Sequence, residues 1–90
     1  MSARYRLRIA RPAARALAEL LPEKVATAAF EFITGPLLDH PHRVGKPLDP
    51  PTAPAWTARR GTYRILFLLD ETHHTVEVTA IRHRSDAYRT

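Results

Sequence analysis

The sequence contains no cysteine, which removes a disulfide framework, a thiolate nucleophile and any cysteine-held zinc or iron–sulfur centre together. Stability has to come from the core itself. Long apolar runs are also missing. Ile65 to Leu69, among the longest, falls far short of a membrane span, and Arg4, Arg6 and Arg8 have no apolar stretch behind them that could act as a signal peptide. The expected location is the cytoplasm, with no membrane partner. Lysine is scarce: of fourteen basic residues only Lys24 and Lys46 are lysine, which leaves twelve arginines. Acid is scarce too, with nine Asp and Glu and a formal net charge of +5, and the stretch from Trp56 to Leu69 holds none. Because the planar guanidinium suits forked recognition of phosphate or carboxylate, a polyanionic partner is the first expectation.

What remains is a chain of 90 residues, 44% apolar, enough for one domain over 1–90 with a modest core and too little for a second. Tyr5, Leu7 and Ile9 alternate with Arg4, Arg6 and Arg8, the pattern of a strand with one buried face and a row of cations on the other. Arg11-Pro12 opens a short helix whose apolar residues Ala13, Ala14, Leu17, Leu20 and Leu21 run until Pro22 stops it. A second helix starts at Pro22-Glu23 and carries Val25, Ala26, Ala29, Phe30 and Ile33 at helical spacing. Gly35-Pro36 should break or kink it, with Leu37 and Leu38 forming a further turn on the same core before His40-Pro41. The proline-rich stretch from Pro41 to Pro54 reads as an extended surface loop.

Three strands follow, Trp56 to Arg60, Tyr63 to Asp70 and Thr75 to Arg82, the last two joined by Glu71-Thr72-His73-His74. The order predicts an α+β fold in which an N-terminal strand and a three-stranded antiparallel meander form a small curved sheet, covered on one face by a helix hairpin. The other face is left for function. Along the last strand Val76, Val78, Ala80 and Arg82 are in phase, and Arg64 shares a face with Leu66 and Leu68. If the hairpin is centred on His73, Arg64 falls directly across from Arg82, whereas a shift of one residue puts them on opposite faces. Like charges facing each other across strands are destabilising, so the pair makes sense where an anion sits between them.

Gly61-Thr62-Tyr63-Arg64-Ile65 followed by an apolar strand, then Ile81-Arg82-His83-Arg84-Ser85-Asp86-Ala87-Tyr88, resembles the RelE/ParE superfamily of bacterial toxins, and within it the RelE branch of ribosome-dependent messenger RNA endonucleases. The resemblance spans the chain in element order, with specific motifs in the final third. It implies the RelE-like fold and a toxin of a type II toxin–antitoxin system that cuts messenger RNA in the ribosomal A site, inhibiting translation. Its implied partners are a cognate antitoxin, in a hetero-oligomer, and the ribosome with its mRNA and 16S rRNA. Arg64 matches the arginine of the Gly-x-Tyr-Arg motif, Arg82 the arginine ending the last strand, and Tyr88 the tyrosine after it. Arg59 is similar to the second residue of a basic-x-basic strand, so these four are the candidate catalytic residues. Lys46 resembles a basic residue in the preceding loop. Thr57 departs from the pattern, standing where the first basic residue is usual. Arg4, Arg6, Arg8, Arg60 and Arg84, with Lys46, are the candidate RNA-binding residues.

An RNA substrate carries its own nucleophile, the 2′-hydroxyl, so aligning it with phosphorus and stabilising the developing charge suffices. Arginine holds a phosphate well but does not accept a proton, which leaves Lys46, His83, Tyr88 or a ribosomal group for the acid–base work. No metal or cofactor is expected: His40, His42, His73 and His74 lack an acid at matching spacing. Two alternatives stay open. One is a ParE-like toxin that inhibits DNA gyrase without cutting RNA; the other is a degenerate module that only binds its antitoxin or ribosomal RNA.

Overall fold

Alternating arginines and apolar residues lay down the first strand, β1 (Arg6–Ile9), and the computed structural model, which describes residues 4–83, continues it into a helix pair and then a sheet. Pro12 pre-sets the first turn of α1 (Arg11–Arg15), where its missing N–H costs nothing, and a π-helical turn over Ala16–Leu20 extends it. The Leu21 N–H closes that turn on the Ala16 carbonyl at 2.9 Å, and the backbone goes extended ahead of Pro22. Helix α2 (Glu23–Phe32) has Glu23 in its first turn, where a carboxylate opposes the positive helix end.

Gly35-Pro36 does not break this second helix. A π-helical turn, Ile33–Leu37, absorbs Pro36, since the wider turn relieves the clash of the proline ring with the preceding turn. The His40 N–H then reaches the Pro36 carbonyl at 2.9 Å, and Leu37 and Leu38 pack into the core as their position suggested.

The segment from Pro41 to Pro54 corrects the expected loop. It begins with a single helical turn, α3 (Pro41–Val44), and continues into a two-residue strand, β2 (Lys46–Pro47), before running irregularly to β3 (Trp56–Arg60). Pro47 fits there because β2 is an edge strand, where a missing donor is tolerated. Beyond it lie β4 (Tyr63–Asp70) and β5 (Thr75–His83). Among the described residues the sheet has five strands in the order β1-β5-β4-β3-β2, with β1 parallel to β5 and the rest antiparallel. Gly61 takes a positive φ of 53° in the two-residue turn between β3 and β4, a conformation that only glycine adopts cheaply.

Ala13, Ala16, Ala29, Phe32, Ile33 and Leu37 from the helices meet Ala58, Ile65, Phe67, Val76, Val78 and Ile81 from the sheet. Among the described residues the helices therefore cover one sheet face and leave the other open, as the element order predicted. The phase of β5 differs from expectation. Near the turn Asp70 pairs with Thr75 and Phe67 with Val78, while beyond a bulge Leu66 pairs with Ala80 and Arg64 with Arg82. One extra residue on β5, at Thr79, separates the two registers. Val76, Val78 and Ile81 consequently face the helices, whereas Ala80 and Arg82 face out.

Candidate nucleic-acid interface

On the open face the register sets side chains in rows across the strands. Arg59 pairs with Arg64 and Arg64 with Arg82, so three arginines stand abreast on β3, β4 and β5. All three are exposed. Among the described residues none of them is in an ion pair; the carboxylate pairs there involve Arg4, Arg15, His42 and His73 instead. Three guanidinium groups on neighbouring strands repel one another, and an anion with several acceptor oxygens relieves that repulsion while accepting forked hydrogen bonds.

The next row reads Lys46, Thr57, Leu66, Ala80. Lys46 joins the face through β2, a strand the proline pattern concealed. Gly45 makes this possible. A Cβ there would lie 2.6 Å from Phe67 Cζ, so the absence of a side chain lets the backbone settle on the Phe67 ring and bring β2 alongside β3. The half-buried Leu66 and the small Ala80 form a low apolar floor beside the arginine row. Sequence reasoning gave Gly45 no role, because a close packing partner leaves no periodic signal. The Thr57 Oγ1 atom is buried with no hydrogen-bond partner.

Other candidate residues stand elsewhere. Arg60 alternates away from Arg59 to the helix side, where its guanidinium lies 4.6 Å from the centre of the Phe32 ring. It therefore stands on the side of β3 opposite the arginine row. Arg4 is held by Asp39 at 2.6 Å and donates to the Thr34 carbonyl, so its charge is engaged by the helix end. Arg6 and Arg8 do share the open face, but at the far edge, across from Thr75 and Glu77. Arg8 lines a groove there with Asp70, Glu77 and His73, so the cation row expected along β1 is mixed in sign. His83 is still within β5 and pairs with Tyr63, on the face opposite Arg82. Burial raises the Tyr63 pKa, with the Arg60 charge acting the other way. Arg84 and Tyr88 lie outside the described residues.

The turn end of the sheet carries a separate network. Tyr5 donates from its hydroxyl to Glu71 Oε1 at 2.7 Å and stacks on His74 at 3.8 Å between ring centroids, while His42 Nε2 lies 2.7 Å from Glu71 Oε2. The Glu71 hydrogen bond, with burial and the carboxylate charge, pushes the Tyr5 hydroxyl up to about 12, and the same hydrogen bond holds Glu71 below its usual value. Asp70 accepts the His73 backbone N–H at 3.0 Å and lies 2.7 Å from the His73 ring, contacts that lower its pKa. These groups tie β1, α3 and the β4–β5 turn together at the end remote from the arginine row.

Comparison with known proteins identifies the family and the fold. Residues 6–88 match the family described as ParE toxin of type II toxin-antitoxin system, parDE. The chain is 48% identical over 85 residues to Toxin RelE of Mycobacterium tuberculosis, covering 94% of this chain and 87% of that protein. It is 44% identical to Toxin RelG of the same organism, covering 94% and 97%. Among solved structures, the toxin–antitoxin complex RelBE2 from Mycobacterium tuberculosis contains a chain that superposes with a TM-score of 0.87 at 41% identity, covering 91% of this chain and all of that one. The archaeal RelE–RelB complex from Pyrococcus horikoshii, at 20% identity and a TM-score of 0.63, shares the fold. The chain belongs to the ParE/RelE family of toxins of type II toxin–antitoxin systems.

Proposed function

We propose that the protein is an endoribonuclease toxin that cuts messenger RNA in the ribosomal A site and is held inactive by a cognate antitoxin. The observation that carries this reading is the row Arg59, Arg64, Arg82, three exposed guanidinium groups abreast with no carboxylate partner among the described residues. Such a row is costly unless a phosphate occupies it. Arg64 and Arg82 grip the scissile phosphate, and their hydrogen bonds shorten as the phosphorane gains charge while the substrate's 2′-oxygen attacks. An exposed arginine row does not by itself orient free RNA, so the 16S rRNA and the rest of the A site supply the alignment. Tyr88 then stacks on an exposed base or moves a proton, and Arg84 adds attraction for the backbone. Toxin activity on ribosomes places the protein in the cytoplasm. The similarity to a chain solved within a toxin–antitoxin complex supports an antitoxin partner. The antitoxin's acidic and apolar segment would cover the arginine row and its Leu66–Ala80 floor.

The test is a reconstituted translation system with primer extension on the message, run beside a gyrase supercoiling assay. Cleavage should require ribosomes, and Arg64→Ala or Arg82→Ala should slow single-turnover cutting by about a hundredfold or more with ribosome affinity little changed. Equal cleavage of free and ribosome-bound message would refute the ribosomal role. Intact RNA with inhibited gyrase would select the second reading, which the ParE description of the matching family favours.

A further inference from the structure

Cleavage through the 2′-hydroxyl forms an O2′–P bond and breaks the P–O5′ bond, leaving a 2′,3′-cyclic phosphate and a 5′-hydroxyl. One proton leaves O2′ for water, and one has to reach O5′. An arginine row stabilises this exchange without supplying that proton, because a guanidinium with a pKa above about 12 does not readily give one up. Resting on the ribonuclease reading above, we propose that Lys46 is the catalytic general acid that protonates the 5′-oxygen as the P–O5′ bond breaks.

Among the described residues the face offers few other donors. Thr57 Oγ1, the hydroxyl in the same row, is buried beneath the surface and out of reach of a substrate. Tyr63 and His83 pair with each other on the helix side. Asp70 ends β4 six residues beyond Arg64, roughly 20 Å along the strand. His73 lies further on, in the turn. Lys46 alone among the described titratable groups stands in the row next to the arginines, placed there by its pairing with Thr57. Two strands across and one row along put its Cα about 12 Å from that of Arg64, a span that a lysine stem and an arginine fork close around a single phosphodiester. A lysine ammonium has protons to give and no lone pair with which to receive one, which fits it for the leaving group and not for the nucleophile. Its backbone is fixed by Gly45 resting on the Phe67 ring, so the donor is carried on a supported strand.

A message with sulfur in place of the 5′-oxygen at the A-site step tests the assignment, because a thiolate leaves without a proton. In single-turnover cutting on saturating ribosomes, Lys46→Ala should be slowed at least about a hundredfold on the ordinary message and should approach the unmutated rate on the sulfur message. Lys46→Arg, which keeps the charge, should stay slow on the ordinary message and recover on the sulfur one. Arg64→Ala should remain slow on both. A Lys46→Ala defect equal on the two messages would overturn the proposal in favour of a binding role, and so would an ordinary message cut at the unmutated rate. Failure of the unmutated protein to cut either message would instead remove the ribonuclease reading on which the proposal stands.

Discussion

Replacing Gly45 by alanine isolates the contact that seats β2 on the sheet. The added Cβ would stand 2.6 Å from Phe67 Cζ and 3.1 Å from both Phe67 Cε1 and the Pro41 carbonyl oxygen, where carbon atoms rest at about 3.5–4.0 Å. Conformation adds nothing to the cost, since φ −113° and ψ 172° form an extended backbone that alanine adopts freely. Neither neighbour can yield: Phe67 is fully buried beside Trp56, and Pro41 is buried with a fixed φ. Overpacking of this kind costs about 1–3 kcal/mol, which for a domain of this size lowers Tm by about 4–24 °C. Thermal and urea denaturation measure it directly. Gly35→Ala is the control, because a Cβ there meets nothing within 4 Å and the residue is helical, so that variant should match or exceed the unmutated protein. A Gly45→Ala protein within about 0.5 kcal/mol of the unmutated one would refute the packing argument.

Thr57→Val removes a buried hydroxyl that has no partner while keeping its shape, so stability in urea should be unchanged or higher; a loss above about 1 kcal/mol would mean the hydroxyl is satisfied after all. Asp70 and Glu71 have pKa values held below the ordinary carboxylate values. Their contribution is therefore present above about pH 5 and lost as pH falls through the unfolded-chain values near 4 towards the lower folded ones. Asp70→Asn should flatten that acid limb in pH-dependent denaturation, and an unaltered limb would count against the His73 contact as its cause. Arg60→Ala should cost roughly 0.5–1 kcal/mol through the lost stacking on Phe32 and leave cleavage intact; a cleavage loss matching Arg64→Ala would place Arg60 back on the functional face.

The strands were legible because their patterns are local. Tyr63 to Asp70 and the strand after it are bounded by turn residues, and the ends of β3, β4 and β5 match to within a residue. The helix pair was legible from its 3.6-residue spacing, but the outcome at Gly35-Pro36 was not, since tertiary packing holds a helix through a proline when a π-helical turn accommodates it. The edge strand β2 left no trace at all. Two residues, one of them proline, have no period, and their pairing depends on a glycine meeting a phenylalanine distant in sequence. The side taken by Arg60 was not legible for a simpler reason: neighbouring arginines on a strand necessarily point to opposite faces, and charge density along the sequence says nothing about which face each one takes.

The arginine row shows how a register can be read correctly at one end of a hairpin and wrongly at the other. With Asp70 paired to Thr75, the turn is centred between Thr72 and His73, and an uninterrupted ladder from there would set Arg64 across from Ile81 and turn Arg82 towards Tyr63 and the helices. Such a strand would bury a guanidinium among Ile81's neighbours and expose Ile81, a double penalty from lost apolar burial and unpaired charge. The extra residue at Thr79 removes both costs by exchanging the faces of everything after it, and the Thr79 hydroxyl secures the bulge by donating to the Leu66 carbonyl at 3.2 Å. The apolar demand for Ile81 inside and the charge demand for Arg82 outside thus select the same shift. The bulge that completes the core of this small sheet is also the device that brings the third arginine level with the other two.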